Sequence, residues 1–235
     1  MFVSINNYLD EKNIILYNFL KKNYKDITLY RIPKYEGFQP SYFKMKVENN
    51  IVKISYYVDN HKNSYFTHEL LHAELLLTNF ADFHEFKSNH FKKNKTYHLL
   101  FNSIIAFILN IYAHDKILPK FLFLGYNIED FTSDFDEKID IKTTINCIIE
   151  LYNKTNKVEF IKKYIQTFLV IKDNNNPKFN KEYLELEKTL NKIDPKLYDS
   201  LFKNWNKWIK YEGNNNLPFM EELFYEITNW YNTQL

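Results

Sequence analysis

The stretch His68-Glu69-Leu70-Leu71-His72 lies inside an apolar run of helix length, from Tyr65 to Phe80. Histidines four positions apart lie one turn apart on the same face of an α-helix, so both imidazoles can reach one Zn²⁺ ion. Glu69 stands between them, where its carboxylate can act as general base on a metal-bound water. We therefore predict that this helix presents two metal ligands, His68 and His72, and a catalytic residue, Glu69.

The predicted helix places these three side chains away from its ordinary polar side. At about 100° per residue, Thr67 and Glu74 fall on a narrow polar stripe, whereas the two histidines and the glutamate of the motif lie opposite it. Polar groups that point to the interior or into a cleft are costly when they are unpaired. A bound metal would account for the arrangement, and hydrogen-bonded core residues are the alternative.

A catalytic zinc site needs a third protein ligand beside one open position. The candidates that follow the motif are His84, Glu85, His90, His98, His114 and Asp115. The first three lie in a lysine-rich stretch, 81–95, without clear periodicity, which indicates a solvated loop or a short helix.

The next apolar run, Thr96 to about His114, predicts a second helix. His114 shares its face with Asn110 and with mostly apolar residues, so this face should pack inward, whereas His98 points about 160° away. We predict His114 as the third ligand, with Asn110 one turn earlier placed to orient a ligand. Asp115 remains an alternative ligand or a partner of a ligand imidazole. His114 could instead interact only with the helix dipole.

Composition restricts the classes of function. The chain has 235 residues, 45% of them hydrophobic, and a net charge of +2, which argues against nucleic acid or an anionic membrane as partner. It has one cysteine, Cys147, which excludes a disulfide framework, and three scattered glycines, which exclude P-loop and GxGxxG sites. There is no uninterrupted apolar run of 18 residues and no signal-peptide pattern. We expect a soluble cytoplasmic protein.

The pattern along the chain predicts an α+β fold. An opening helix over 6–23 is followed by strands at Ile27–Ile32, Tyr42–Val47 and Ile51–Val58, with Asn49-Asn50 as a hairpin turn. Pro119 is expected to open a short helix that ends at Gly125. Further helices are predicted near 138–154, 157–173, 180–193, 195–212 and 218–233. We expect a small, mostly antiparallel sheet packed with the motif helix in a domain 1–127, and a helical region, 128–235, packed on it.

This order of elements, together with the HExxH motif, resembles that of the zincin metallopeptidases. Residues 1 to about 127 resemble a compact gluzincin-like or minimal zincin domain. The resemblance implies that His68 and His72 bind zinc, that Glu69 is the general base, and that strand 51–58 or its neighbour is the edge along which an extended peptide lies. The segment 110–115 resembles the third-ligand helix of gluzincins, with histidine in place of the carboxylate. There is no HExxHxxGxxH extension.

The leading hypothesis is zinc-dependent hydrolysis of peptide bonds in a peptide or protein substrate. Tyr65, Tyr112 and Tyr126 are candidate donors to the oxyanion. The alternative is a zincin-like interaction or regulatory protein with little or no turnover, whose working part is the helical half. Hydrolysis of a non-peptide amide would use the same residues.

Overall fold

The computed structural model describes residues 3–32, 43–56, 62–81, 95–132, 139–154 and 156–234. These residues form an α+β structure with one three-stranded sheet and a majority of helices. The chain divides into two compact units, each built from two segments: residues 1–78 with 116–135, and residues 79–115 with 136–235. The predicted division into a domain 1–127 and a helical region 128–235 stays a prediction.

The sheet of the first unit contains β1 (Asp26–Arg31), β2 (Phe43–Glu48) and β3 (Ile51–Tyr56), in the order β1-β3-β2. The expected hairpin is confirmed, because β2 and β3 are antiparallel and both turn residues have positive φ, 51° at Asn49 and 60° at Asn50. The expectation of a mostly antiparallel sheet is wrong. β1 pairs with the other side of β3 and runs parallel to it, so the sheet is mixed.

The first helix begins later than the pattern predicts. A 3₁₀ turn, Ile5–Tyr8, precedes α1 (Ile14–Asn23), and the chain between them is not α-helical. Asp10 interrupts the helix because its carboxylate accepts from the backbone N–H groups of residues 12 and 13. Short polar side chains that bond to nearby backbone in this way compete with helical hydrogen bonds.

The motif helix, α2 (Asn63–Leu75), packs against β2 and against α1. Its buried residues include Phe66, Leu70 and Leu71, which lie with the apolar side of the sheet in the core of the first unit. Tyr24, which ends α1, donates a 2.7 Å hydrogen bond to the carbonyl of Ala73 and ties the end of α1 to α2. The motif therefore lies on a helix that is held along its length.

The second predicted helix is in fact two. A short helix, α3 (Lys95–Phe101), is followed by a turn and by α4 (Ile105–Phe123), which runs through Pro119. The prediction that Pro119 opens a new helix is wrong, because α4 continues through the proline. An interior proline removes one helical hydrogen bond and its ring crowds the carbonyl four residues earlier, and Pro119 lies on the exposed side of α4. Gly125, at φ 85°, follows the end of α4 as predicted.

Beyond residue 138, every described regular element is a helix, as predicted. The helices are α5 (Ile141–Asn153), α6 (Lys157–Asp173), α7 (Asn180–Ile193), α8 (Pro195–Lys210) and α9 (Leu217–Asn232). Asp194 caps the start of α8, since its carboxylate accepts from the N–H of Leu197 at 2.9 Å. Consecutive helices pack on one another around buried aromatic residues. Among the described residues, no helix is both long and apolar enough for a membrane crossing.

Candidate functional site

His68 and His72 face each other on α2. Their Nε2 atoms lie 3.0 Å apart and their ring centroids 4.8 Å apart, and both side chains are half-buried. Two imidazole nitrogens bound to one tetrahedral zinc at 2.0–2.1 Å would be about 3.3 Å apart. An N–H···N hydrogen bond accounts for the observed spacing without a metal. The residues therefore fit a shared ion with a displacement of a few tenths of an ångström.

Aromatic side chains surround His68. Its ring centroid is 4.7 Å from that of Phe131 and 6.4 Å from that of Phe121, and both phenylalanines are buried. These rings restrict the orientation of the imidazole and keep one side of it apolar. Sequence reasoning did not single out Phe131.

The carboxyl group of Glu69 lies in a desolvated environment. Burial raises its pKa from an ordinary 4.5 to about 8, against the opposing effects of a hydrogen bond from the backbone N–H of Met45 and of the charge on Lys44. In the two-residue hairpin, Glu48 and Ile51 flank the turn and exchange hydrogen bonds, so the N–H of Met45 points away from β3. Glu69 therefore lies beside the outer edge of β2, with a pKa close to that useful for a base at neutral pH.

His114 is buried on α4 and has partners on both ring nitrogens. Nδ1 lies 3.0 and 3.1 Å from the two carboxylate oxygens of Asp173, and Nε2 lies 3.0 Å from Nδ2 of Asn110. Asn110 lies one helical turn before His114, as the sequence predicts. Its amide contacts Nε2, the ring nitrogen on the side away from Asp173. The lone pair of this nitrogen can either accept from the amide or bind a metal.

Helix α4 carries both His114 and Phe121, a residue that contacts His68. His114 and Phe121 are seven residues apart on this continuous helix and so lie on the same face. Phe121 in turn contacts the ring of His68. Among the residues that the structure describes, His68, His72 and His114 form a group that could hold a metal ion.

The other candidate ligands lie elsewhere. Asp115 is half-buried and, one residue further on, projects about 100° from His114 around α4. His98 is exposed on α3, a separate helix, so the face comparison that set it against His114 on one helix does not apply. His84, Glu85 and His90 lie outside the described residues.

Two of the candidate oxyanion donors are engaged in hydrogen bonds. The hydroxyl of Tyr112 is fully buried, donates to Asn204, and has a pKa raised by burial. Tyr126 donates to the carboxylate of Asp10 at 2.9 and 3.0 Å. Tyr65 is half-buried, with the Lys62 ammonium 5.7 Å from its ring centroid. The oxyanion donor therefore stays unassigned.

Comparisons with protein-family models, with curated proteins and with solved structures find no match for this chain. The fold and site define an α+β protein with a group of three histidines compatible with metal binding. A fold alone does not determine function, so the function has to be argued from the site.

Proposed function

We propose that this chain is a zinc-dependent hydrolase of peptide bonds, a zincin-like metallopeptidase. The observation that carries the proposal is the group of three imidazoles, His68, His72 and His114, with Glu69 inside the motif. Three neutral nitrogen ligands are a donor set suited to Zn²⁺, and they leave its fourth position open. A cytoplasmic location, and a peptide or protein substrate rather than nucleic acid or membrane, belong to the same proposal.

In this proposal Glu69 is the general base. Zinc, when bound, supplies a Lewis acid that polarises the scissile carbonyl and makes a water molecule more acidic. Glu69 accepts the proton of the attacking water and passes it to the leaving amine. Its desolvated carboxyl has a pKa near neutrality, which suits both halves of that transfer. The positive charge on Lys44 lowers the pKa of Glu69 and so favours the ionised form that accepts the proton.

The substrate would lie along β2. The resemblance suggested strand 51–58 or its neighbour as the edge strand, and in the described sheet β3 is central while β2 is at the edge. An extended peptide can add to such an edge through main-chain hydrogen bonds. The carboxylate of Glu69 accepts from the outward N–H of Met45, so a peptide on this edge would pass beside the proposed base.

The test combines metal analysis with a digestion assay. The purified protein should contain one zinc per chain and should digest an unfolded general substrate such as casein. Glu69→Gln should keep the zinc but lose activity by several orders of magnitude, because it deletes the base and preserves the shape. Full activity in this variant would refute the mechanism.

One observation favours the alternative, an interaction or regulatory protein that does not turn over substrate. The Nε2 atom of His114 already has a hydrogen-bond partner in Asn110, so this nitrogen does not need a metal to be paired. Under this alternative the protein would purify without zinc and would not cleave casein. Zinc without casein cleavage would leave a narrow-specificity peptidase or an amidase acting on a non-peptide substrate, which substrate profiling would separate.

A further inference from the structure

We propose that Asp173, at the end of α6, is a positioning residue for the third ligand, His114. This inference rests on the proposed function and assigns a role in it to the helical part of the chain. Both carboxylate oxygens of Asp173 lie within 3.1 Å of the same ring nitrogen, Nδ1. The histidine and aspartate side chains are only 7% and 16% exposed, so water competes little for the contact.

The contact determines which ring nitrogen is available to a metal. A carboxylate is an acceptor, so it favours the tautomer of His114 with the proton on Nδ1. The lone pair is then on Nε2, the nitrogen on the other side of the ring. A carboxylate behind a ligand imidazole also makes the imidazole a stronger donor to the metal.

Asp173 is itself held in place by the turn that follows it. Asn175 donates a 2.8 Å hydrogen bond to the backbone carbonyl of Asp173. The N–H of Asn176 bonds to the side chain of Asn174, and the buried Asn176 side chain accepts from the N–H of Lys178. The asparagines of this linker thus fix the end of α6 and, with it, the position of the carboxylate.

Asn110 has the opposite effect on the same imidazole. Its amide donates to Nε2, the lone pair that a metal would need, so metal binding requires this hydrogen bond to break. Asp173 should therefore strengthen metal binding, whereas Asn110 should not. The two partners of His114 provide variants with different expected results.

The experiment measures zinc affinity by competition with a chromogenic chelator, and the visible spectrum of the Co²⁺-substituted protein. The variants are Asp173→Ala, Asp173→Asn, His114→Ala, the double variant of Asp173→Ala with His114→Ala, and Asn110→Ala. Glu187→Gln is the matched control, because this carboxylate is 20% exposed and bonds Lys172 and Tyr198 rather than a histidine. Thermal unfolding of each metal-free variant shows whether it folds.

Asp173→Ala should weaken zinc binding about 10- to 100-fold and alter the Co²⁺ spectrum. Asp173→Asn should give a smaller loss, because its amide oxygen still accepts from Nδ1. Glu187→Gln should match wild type, and Asn110→Ala should bind zinc at least as tightly. The double variant should be no weaker than His114→Ala alone, because Asp173 acts through His114.

Other results would overturn the inference in distinguishable ways. If His114→Ala weakens binding but Asp173→Ala does not, or if their losses add, Asp173 has no positioning role and the proposed function stands. If Asp173→Ala and Glu187→Gln weaken binding equally, the effect is a general loss of structure. If wild type binds no zinc, the inference and the proposed function both fail.

Discussion

Glu69 should make the stability of the metal-free protein depend on pH in a direction opposite to that of most carboxyl groups. Burial raises its pKa in the folded chain to about 8, against an ordinary 4.5. Between these values the folded protein keeps a proton that the unfolded chain releases. The free energy of unfolding therefore falls as pH rises through this window, by about 1.4 kcal/mol per pH unit from this one group.

The perturbation is Glu69→Gln, in protein stripped of metal with a chelator. Glutamine cannot ionise, so the variant should lose this component of the pH dependence. Its free energy of unfolding relative to wild type should rise by about 1.4 kcal/mol for each pH unit between roughly pH 5 and 8. For a chain of this length that is about 3–5 °C in melting temperature per pH unit. Below pH 4.5 the group is protonated in both states, and the difference should be constant.

Urea denaturation at a series of pH values measures this difference directly. Glu48→Gln is the control, because hydrogen bonds and ion pairs with Lys46 and Lys53 hold the Glu48 pKa at about 2. That carboxyl is ionised in both states from pH 5 to 8, so its removal should leave the wild-type slope unchanged. A stability difference between wild type and Glu69→Gln that stays flat over this range would refute the desolvation argument.

Three further variants test the site and its support. His72→Ala should remove stoichiometric zinc and lower the melting temperature only when zinc is present, and unchanged metal content would exclude it as a ligand. In the chelator competition assay, His114→Ala should weaken zinc binding at least tenfold while His98→Ala leaves it unchanged; the reverse would reject the ligand assignment. Asn13→Ala should destabilise the fold by about 2–4 kcal/mol in urea, because it removes two buried hydrogen bonds and a partly buried one, while the exposed Asn23→Ala stays near wild type. Equal losses for both asparagines would contradict this reasoning.

The elements that the sequence predicted well are those set by local periodicity and capping. The five helices after residue 138 repeat apolar residues at helical spacing and carry readable end signals such as Asp194-Pro195. The hairpin was predictable because consecutive asparagines tolerate the positive φ values that its turn requires. In both cases the deciding interactions lie within a few residues.

The predictions that failed depended on partners distant in sequence or on competition between local signals. The parallel pairing of β1 with β3 is a tertiary choice that no pattern within either strand specifies. Asp10 breaks the opening helix through its own short-range bonds, although the apolar spacing continues across it. The contact of Asp173 with His114 joins residues 59 positions apart, and in the sequence Asp173 is only the first residue of the polar stretch 173–177.

The prediction of His114 as the third ligand was based on an argument of which only part applies. It compared faces along one helix from Thr96 to His114, but the chain turns between α3 and α4, so angles cannot be carried from His98 across that break. The comparison of residues within α4 itself still applies. Asn110 contacts His114 one turn later, and Phe121, two turns beyond His114, contacts the ring of His68. His114 is therefore related to the motif through the unbroken helix that follows it rather than through the apolar face that precedes it.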